Sequence, residues 1–325
     1  MVSVRIVRIH VIRFLPITLR TMTWMFMILI SLFCFHQPSL VFSASKGEGF
    51  RTYWYDKGAE ITRFELEQVR YGEIHSGHAL LIFVTEPFLP DIQVKADSAL
   101  SQQKSIPVLK LNFIKRFNTG IYDYSLMMSV FTPLNAEHNP LFNKTLKVFT
   151  TRQDWCGQVS LQYNLGDNFY KVRQNSYFEK EGDRSLNVPA TFLEDGIWTC
   201  IRISPESLPQ GEIKMIPGSF FTTLHMISVG AEKVIAELSN GVDDNRAVSK
   251  YTLTYPSLKR TLSISFSRYF PYDILSWQET FRHGNGKDAK VLTARAWQTN
   301  KLMTDYWNKN SVENTKLRKE LGLME

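Results

Sequence analysis

The stretch PVLKLNFIKRFNTGIYDYSLMMSVF, Pro107–Phe131, has the pattern of a β-hairpin, and it decides the fold class. Over residues 108–113 the side chains alternate in character with a period of two, which is the period of a β-strand. Asn118-Thr119-Gly120 then supplies a turn that tolerates a positive φ. We therefore expect two antiparallel strands joined by a tight turn.

Runs of the same kind recur along the chain: short, rich in β-branched and aromatic residues, and bounded by turn residues. They cover Ala79–Glu86, Lys144–Thr151, Gly157–Asn164, Asn168–Phe178, Phe220–Val229, Val248–Tyr255, Arg260–Arg268 and Lys290–Thr299. The stretch Ala59–Gly72 fits either a helix or a strand, and the alternation of Phe64, Leu66 and Gln68 favours the strand. Strands this frequent predict a large curved antiparallel sheet, as a half-barrel or a sandwich, and argue against a βαβ enzyme fold.

Two helices are predicted beside these strands. In Thr191–Ser204, Thr191 and Glu194 have the spacing of a capping box, and Leu193, Ile197, Cys200, Ile201 and Ser204 fall on one helical face. The second is the charged C-terminal segment, residues 302–325, which we expect to form a polar tail helix on the surface. The fold class is therefore mainly β, a β-rich α+β fold with one central helix and a C-terminal helix. Residues 45–325 would form a single domain, or two sub-sheets sharing a core.

The N-terminal segment has the organisation of a secretory signal peptide. The first 45 residues contain no Asp, Glu or Lys, and four arginines precede or border the apolar run TMTWMFMILISLFCF. We predict a signal peptide over residues 1–44, cut near Ser43, and hence export to the periplasm or elsewhere outside the cytoplasmic membrane. An uncleaved anchor, the one way in which this chain would touch a membrane, and a lipoprotein modified at Cys34 are the alternatives. The apolar run is short for the first, and Phe33 is too large for the second.

Removing this segment changes the charge and the cysteine count. The net charge of +7 comes from 38 basic and 31 acidic residues, so losing the four arginines leaves 34 against 31, or +3. The remaining charge gives no basis for binding nucleic acid. Of three cysteines, Cys156 and Cys200 remain, and an even pair in an oxidising compartment predicts a disulfide. Trp155 and Trp198 would pack against it. Two free thiols are the alternative.

Four polar residues around EIHSGHALLIFVTE are the site candidates: Glu73, His75, His78 and Glu86. Ser76-Gly77 predicts a turn, and residues three apart on a strand point to opposite faces, which disfavours a shared metal ion. Glu73 and Glu86 could bracket a hairpin and meet across it, as the paired carboxylates of glycosidases do. The chain contains no G-x-S-x-G nucleophile motif. We therefore predict no catalytic residue, no cofactor and no metal.

The segments AEITRFELEQVRYGEIHSGHALLIFVTEPF, DWCGQ and LEDGIWTCIRISPESLP resemble an uncharacterised family of exported bacterial proteins over residues 50–300. Some members carry the label septum formation inhibitor Maf. True Maf proteins are cytoplasmic α/β nucleotide pyrophosphatases with a Ser- and Arg-rich phosphate loop after the first strand, which this chain lacks. The resemblance implies no catalytic or binding residue. More loosely, the layout and RTLSISFSRYFPYDILSWQET are similar to periplasmic lipoprotein-carrier-like half-barrels.

These observations predict an exported, non-enzymatic envelope protein that binds an apolar or amphipathic ligand, such as a lipid or acyl chain, in a cleft of the sheet. Aromatic residues lie in nearly every predicted strand, and they either fill the core or line a hollow. A protein–protein interaction or scaffolding module of the envelope is the first alternative, and its partner would be an envelope protein. The second is a hydrolase whose carboxylates or histidines converge only in three dimensions.

Overall fold

The structure is a computed structural model that describes residues 48–134, 144–284 and 289–323. The predicted signal peptide lies outside these residues. All of the elements named below belong to one compact unit, residues 51–325. The described chain begins with a short helical segment that ends in the π-helical turn Thr52–Asp56. No helix in the described part of the chain is both long enough and apolar enough to cross a membrane.

Sixteen strands of the described chain form a single sheet. They are β1 Ala59–Arg70, β2 Glu73–Leu89, β3 Val94–Lys95, β4 Ile106–Thr119, β5 Tyr122–Pro133, β6 Lys147–Asp154, β7 Gly157–Leu165, β8 Phe169–Ser176, β9 Arg184–Pro189, β10 Phe192–Leu193, β11 Gly211–Ile216, β12 Glu232–Asp243, β13 Arg246–Tyr255, β14 Arg260–Ser267, β15 Ile274–His283 and β16 Lys290–Thr304. The helices are α1 Ala99–Gln102, α2 Glu194–Ile203, α3 Ser219–His225 and α4 Lys316–Glu320, and 3₁₀ turns cover Pro205–Ser207, Tyr306–Asn308 and Val312–Thr315.

The strand order is β10-β11-β12-β13-β14-β15-β16-β1-β2-β4-β5-β6-β7-β8-β9, with β3 added beside β2. Only β10 and β11 pair in parallel; the other neighbours in this order are antiparallel. The edge strands β9 and β10 are joined by residues 190–191 alone. Because three peptide units span at most about 11 Å, the end of β9 and the start of β10 lie close together. The sheet therefore has to curl, although β9 and β10 do not pair with each other. The predicted mainly β fold with a large curved sheet is confirmed.

Helix α2 lies inside this curled sheet, and all ten of its residues are buried. The predicted capping box is wrong: Leu193 is the N-cap residue, and the Thr191 hydroxyl donates to the carbonyl of Lys214 instead. The apolar residues predicted on one helical face are buried: Leu193, Ile197, Cys200 and Ile201. Because sheet and loops surround the helix, its polar residues are enclosed together with its apolar ones.

Helix α3 contradicts the strand predicted over Phe220–Val229. Its backbone bonds are internal to the helix, and the Thr223 hydroxyl donates to the Ser219 carbonyl at 2.7 Å. Met226 ends the helix with a left-handed φ of 52°. An apolar run with no neighbouring strand has to satisfy its own backbone, and a helix does so.

The turns also lie elsewhere than expected. Tyr71 and Gly72, both with positive φ, connect β1 to β2, whereas Ser76-Gly77 lies within β2. A Cβ atom at Gly77 would lie 2.2 Å from the Arg116 carbonyl oxygen on β4, so a close approach of two strands explains this glycine. The ambiguous stretch Ala59–Gly72 is strand β1, as favoured. The tail segment continues β16 to Thr304, and its helix covers only Lys316–Glu320.

Aromatic side chains fill the space between the sheet and the two inner helices. The ring of Phe113 on β4 lies 5.0 Å from Trp198 on α2 and 5.2 Å from Phe220 on α3, measured between centroids. Trp277 on β15 completes the group at 5.3 Å from both Phe113 and Trp198. The centre of the curled sheet is therefore packed with side chains.

Candidate functional site

The four predicted site residues all lie on strand β2. Glu73 and Glu86 are separated by thirteen positions of one strand, which corresponds to roughly 40 Å at 3.3 Å per residue. The expectation that they meet across a hairpin is therefore wrong. The hairpin turn precedes Glu73, so the strand carries the two carboxylates apart.

Each of these residues has a separate environment. His75 Nε2 is 3.1 Å from the Arg70 carbonyl oxygen, and Glu86 forms an ion pair with Lys110 at 3.2 Å. Burial is the main cause that lowers the pKa of His78, with smaller contributions from Arg63 and Arg116. Among the described residues, no group of three His, Cys, Asp or Glu side chains is placed to hold a metal ion.

The predicted disulfide is not formed, because Cys156 and Cys200 are both free. Cys156 lies exposed in the turn between β6 and β7, where its N–H donates to Asp154, whereas Cys200 lies on the enclosed helix α2. The two tryptophans do not pack against a common disulfide either. Trp155 is 68% exposed, whereas Trp198 is buried at 5% exposure. The alternative of two free thiols is the one that the structure contains.

A buried ionic network, which the sequence analysis missed, attaches the C-terminal part of α2 to the sheet. Arg202 donates through Nη1 and Nη2 to the two carboxylate oxygens of Glu60 on β1, with Nη2–Oε2 at 2.6 Å. Lys301 Nζ adds contacts to Glu60 at 3.1 Å and to Asp273 at 2.7 Å. Burial is the largest effect on Glu60 and opposes its ionised form. The charge and hydrogen bonds of Arg202, the charge of Lys301 and the hydrogen bond from Tyr53 together outweigh burial and lower the pKa of Glu60 to about 2.

A second network attaches the N-terminal end of α2. Arg260 on β14 binds both carboxylate oxygens of Glu194, while its Nε donates to Glu279 at 2.6 Å. The neighbouring Asp195 accepts the N–H of Ser219, at 2.9 Å to Oδ1, and so connects α2 to the start of α3. Burial raises the pKa of Asp195 to about 7, although the Ser219 bond acts in the opposite direction. The sequence signal for both networks was the presence of charged residues inside the predicted helix: Glu194, Asp195 and Arg202.

One apolar cleft lies beside the connection between the edge strands β9 and β10. Its volume is about 350 Å³, at the low end of the roughly 300–1,000 Å³ typical of small-molecule sites. The walls come from α2, the start of β8, the connection from β9 to β10 and the segment before β11. The lining residues are Lys144, Thr145, Leu165, Asp167, Tyr170, Ala190, Thr191, Phe192, Leu193, Gly196, Ile197, Cys200, Ser207 and Pro209.

The polar groups inside this cleft are mostly engaged elsewhere. Tyr170 donates its hydroxyl to the Thr145 carbonyl at 2.9 Å, and Thr191 donates to Lys214. Burial raises the pKa of Cys200 to about 12, so its thiol stays protonated and acts as an apolar wall. The charged lining residues, Lys144 and Asp167, are exposed at the mouth. The arrangement suits an apolar body with a polar end.

Comparisons with known proteins add little to this geometry. No family model matches the chain, and no curated protein matches it. Among solved structures, a porin-like protein from Bacteroides uniformis aligns with 10% identity over 74% of this chain and 95% of that chain, with a TM-score of 0.21. A likeness at that TM-score carries no argument about fold or function. The resemblance to an exported family stays a prediction.

Proposed function

We propose that this chain is a non-enzymatic envelope protein that holds the apolar part of an amphipathic ligand, such as an acyl chain, in the cleft beside α2. The observation that carries the proposal is the composition of the cleft, which has apolar walls and charges at its mouth. The predicted signal peptide over residues 1–44 supports a location outside the cytoplasmic membrane.

The binding energy would come from removing apolar surface from water, at about 25 cal/mol per Å². An acyl chain would contact Leu193, Ile197 and Phe192, and a carboxylate head would lie beside Lys144. Because Arg202 and Arg260 anchor both ends of α2, the helix that forms one wall is held in place before the ligand arrives. A preformed wall reduces the ordering cost of binding.

The Cys200 thiol offers a direct test, since it lines the cleft. In the full chain carrying Cys34→Ser and Cys156→Ser, the rate of reaction with 4,4′-dithiodipyridine reports access to Cys200 alone. Dodecanoate, added below its micelle concentration, should slow this reaction with a saturable dependence on its concentration. We expect the rate to fall by at least about tenfold, which corresponds to about 1.4 kcal/mol. The matched control carries Cys34→Ser and Cys200→Ser, and its exposed Cys156 should react at an unchanged rate. An unaffected Cys200 rate would contradict the proposal.

Filling the mouth provides a second test. Ala190 is exposed and lines the cleft, so Ala190→Trp should block the entrance without disturbing the core. We expect at least about a tenfold weaker affinity for a dansyl-labelled undecanoate, measured by fluorescence titration. Asn187→Trp is the matched control, because Asn187 is exposed on the adjoining edge strand β9 and does not line the cleft. Equal affinities of the two variants would count against an acyl-chain site.

Exposed aromatic residues favour a second candidate, an interaction module of the envelope. Tyr71, Trp155 and Tyr177 are 53%, 68% and 76% exposed at or next to turns of the sheet. The Tyr122 ring joins two of them, with its hydroxyl 2.9 Å from the Tyr71 hydroxyl and its centroid 6.2 Å from Trp155. A photoreactive residue at position 155 should then cross-link a protein in intact cells, whereas one at position 187 should not.

A further inference from the structure

Three arginine side chains of the described chain are almost completely buried: Arg152, Arg202 and Arg260, at 0%, 1% and 3% exposure. In Arg202, Nε donates to the Pro271 carbonyl at 2.9 Å, and both terminal nitrogens bind carboxylates. In Arg260, all three nitrogens bind carboxylates. Burying a charge in this way is the usual arrangement, because an unpaired buried charge is costly.

Arg152 differs, because two of its three nitrogens lack a partner. Its Nη1 donates to the Thr223 carbonyl, near the C-terminal end of α3, at 2.9 Å. Nε and Nη2 are fully buried, and neither has a hydrogen-bond partner among the residues that the structure describes. These two nitrogens form one edge of the planar guanidinium, with two parallel N–H groups. That edge matches two oxygens of a carboxylate or a phosphate.

The nearby acids are engaged with other groups. Glu181, which is buried, accepts from Gln174 at 3.2 Å with one oxygen and from Ser176 at 2.7 Å with the other. Asp154 accepts the N–H of Cys156 at 2.7 Å. Within the described part of the chain, neither of these carboxylates forms an ion pair with Arg152.

A second arginine lies at the same end of α3. Arg70 donates its Nη1 to the Leu224 carbonyl at 2.5 Å and its Nε to the Tyr124 hydroxyl at 3.3 Å. Burial is the main cause that lowers the pKa of Arg152; Asp154 acts against this shift, and Arg70 adds to it. Glu181 also acts against the shift, but neither acid accepts a hydrogen bond from Nε or Nη2, so this edge of Arg152 lacks an anionic partner.

We propose that the Nε–Nη2 edge of Arg152 binds a small oxyanion, a carboxylate or a phosphate, beside Arg70 and the C-terminal end of α3. This site is separate from the apolar cleft, since neither arginine lines that cleft. The Phe178 ring lies 4.9 Å from the guanidinium carbon and covers one face of the site. Phe178 belongs to the connection between β8 and β9.

A purely structural role for Arg152 is the competing interpretation. A cation near a helix C-terminus binds the last carbonyls and interacts favourably with the helix dipole. That role accounts for the Nη1 bond to Thr223, but it leaves the other edge of the guanidinium unused. The two interpretations differ in whether Nε–H responds to added anions.

The test follows the arginine Nε–H signals of the full chain, labelled with ¹⁵N-arginine, by NMR. Sodium phosphate or sodium acetate is titrated at constant ionic strength against sodium chloride. We expect the chemical shift of one buried Nε–H signal to change saturably with the anion concentration. The hydrogen of this group should also exchange with water at least about tenfold more slowly, which corresponds to about 1.4 kcal/mol. A response to phosphate, to acetate or to both identifies the class of oxyanion.

Arg152→Lys identifies the signal, and it retains a positive charge that reaches toward Thr223 while removing the two-pronged edge. If this variant does not fold, contacts to the Phe178 ring assign the signal in the unchanged protein. Arg268→Lys, at an exposed arginine, is the control and should leave the response intact. An Arg152 signal that stays constant, or that drifts in parallel with the exposed arginines, would overturn the proposal and leave only the structural role.

Discussion

At the scale of single residues, charge pairing explains how this chain keeps ionised groups inside a curled sheet. Glu60 and Arg202 are both about 1% exposed and bind each other through two parallel contacts. Removing one partner of such a pair leaves a buried charge unpaired, which costs far more than losing a surface ion pair. The networks therefore set the position of α2, and with it one wall of the cleft.

We predict that Glu60→Gln lowers the free energy of unfolding by about 3–5 kcal/mol, because Arg202 loses its main counter-charge. Urea unfolding followed by tryptophan fluorescence measures this. Glu65→Gln is the matched control on the same strand: Glu65 pairs with Arg63 at 2.7 Å but its side chain is 42% exposed, so the loss should stay below about 1 kcal/mol. Similar losses in both variants would show that burial of the pair has little effect.

Asp195 predicts a pH dependence of stability in the neutral range. Its pKa is raised from 3.8 to about 7 in the folded state, so the folded protein holds a proton that the unfolded chain releases. The stability that this proton provides is complete below about pH 3.8 and is lost as the pH rises through 7. At 1.36 kcal/mol per pKa unit, the change is on the order of 4 kcal/mol.

Asp195→Asn keeps an oxygen that accepts the Ser219 N–H but removes this titration. Comparing urea unfolding of the two proteins from pH 4 to pH 8 isolates the effect, because His225, whose pKa burial lowers to about 3, contributes equally to both. The free-energy difference between unchanged protein and variant should fall steadily with rising pH. A difference that is independent of pH would contradict the assignment.

At the scale of elements, Gly77 illustrates a residue whose role the local sequence does not reveal. Ser76-Gly77 has the composition of a turn, but β2 continues through it because Gly77 lies against the backbone of β4. Only contact with a strand about 40 residues away along the chain explains the requirement for glycine.

We predict that Gly77→Ala destabilises the protein by about 2–3 kcal/mol, since its Cβ would meet the Arg116 oxygen at 2.2 Å and the strands would have to move apart. Ser76→Ala, at the exposed neighbouring position, should change stability by no more than about 0.5 kcal/mol. Thermal unfolding of both variants measures the difference. If Gly77→Ala is as stable as Ser76→Ala, the close approach is relieved at no cost.

The inner helices show where element prediction succeeded and where it failed. The helix predicted over Thr191–Ser204 is confirmed in its core as Glu194–Ile203, because its apolar residues recur with the helical period. The run Phe220–Val229 was assigned to a strand because its residues are apolar and β-branched. Its enclosure by the sheet, which no local pattern records, favours helix α3.

At the scale of the whole molecule, the first and last strands are neighbours. β1 pairs with β16 from Ala59↔Thr304 to Glu67↔Arg295, so the sheet depends on contacts between residues more than 200 positions apart. We predict that a chain ending at residue 289 does not fold, because β1 and β15 each lose one of their two neighbouring strands. A chain ending at residue 304 should fold, since most of residues 305–323 is exposed. Near-ultraviolet circular dichroism distinguishes these outcomes, and a native signal from the shorter chain would refute the dependence.

The sequence by itself determined the mainly β class, most of the strands and the central helix, because alternation and turn residues are local properties of the chain. It also limited the candidate sites to scattered polar residues, and the structure keeps Glu73 and Glu86 apart. Only the tertiary structure decided that two helices lie inside the sheet, that Cys156 and Cys200 are separate and that Arg152 has an unpaired edge. Each of these features depends on which strands, distant along the chain, become neighbours when the sheet curls. The local pattern of residues does not contain that information.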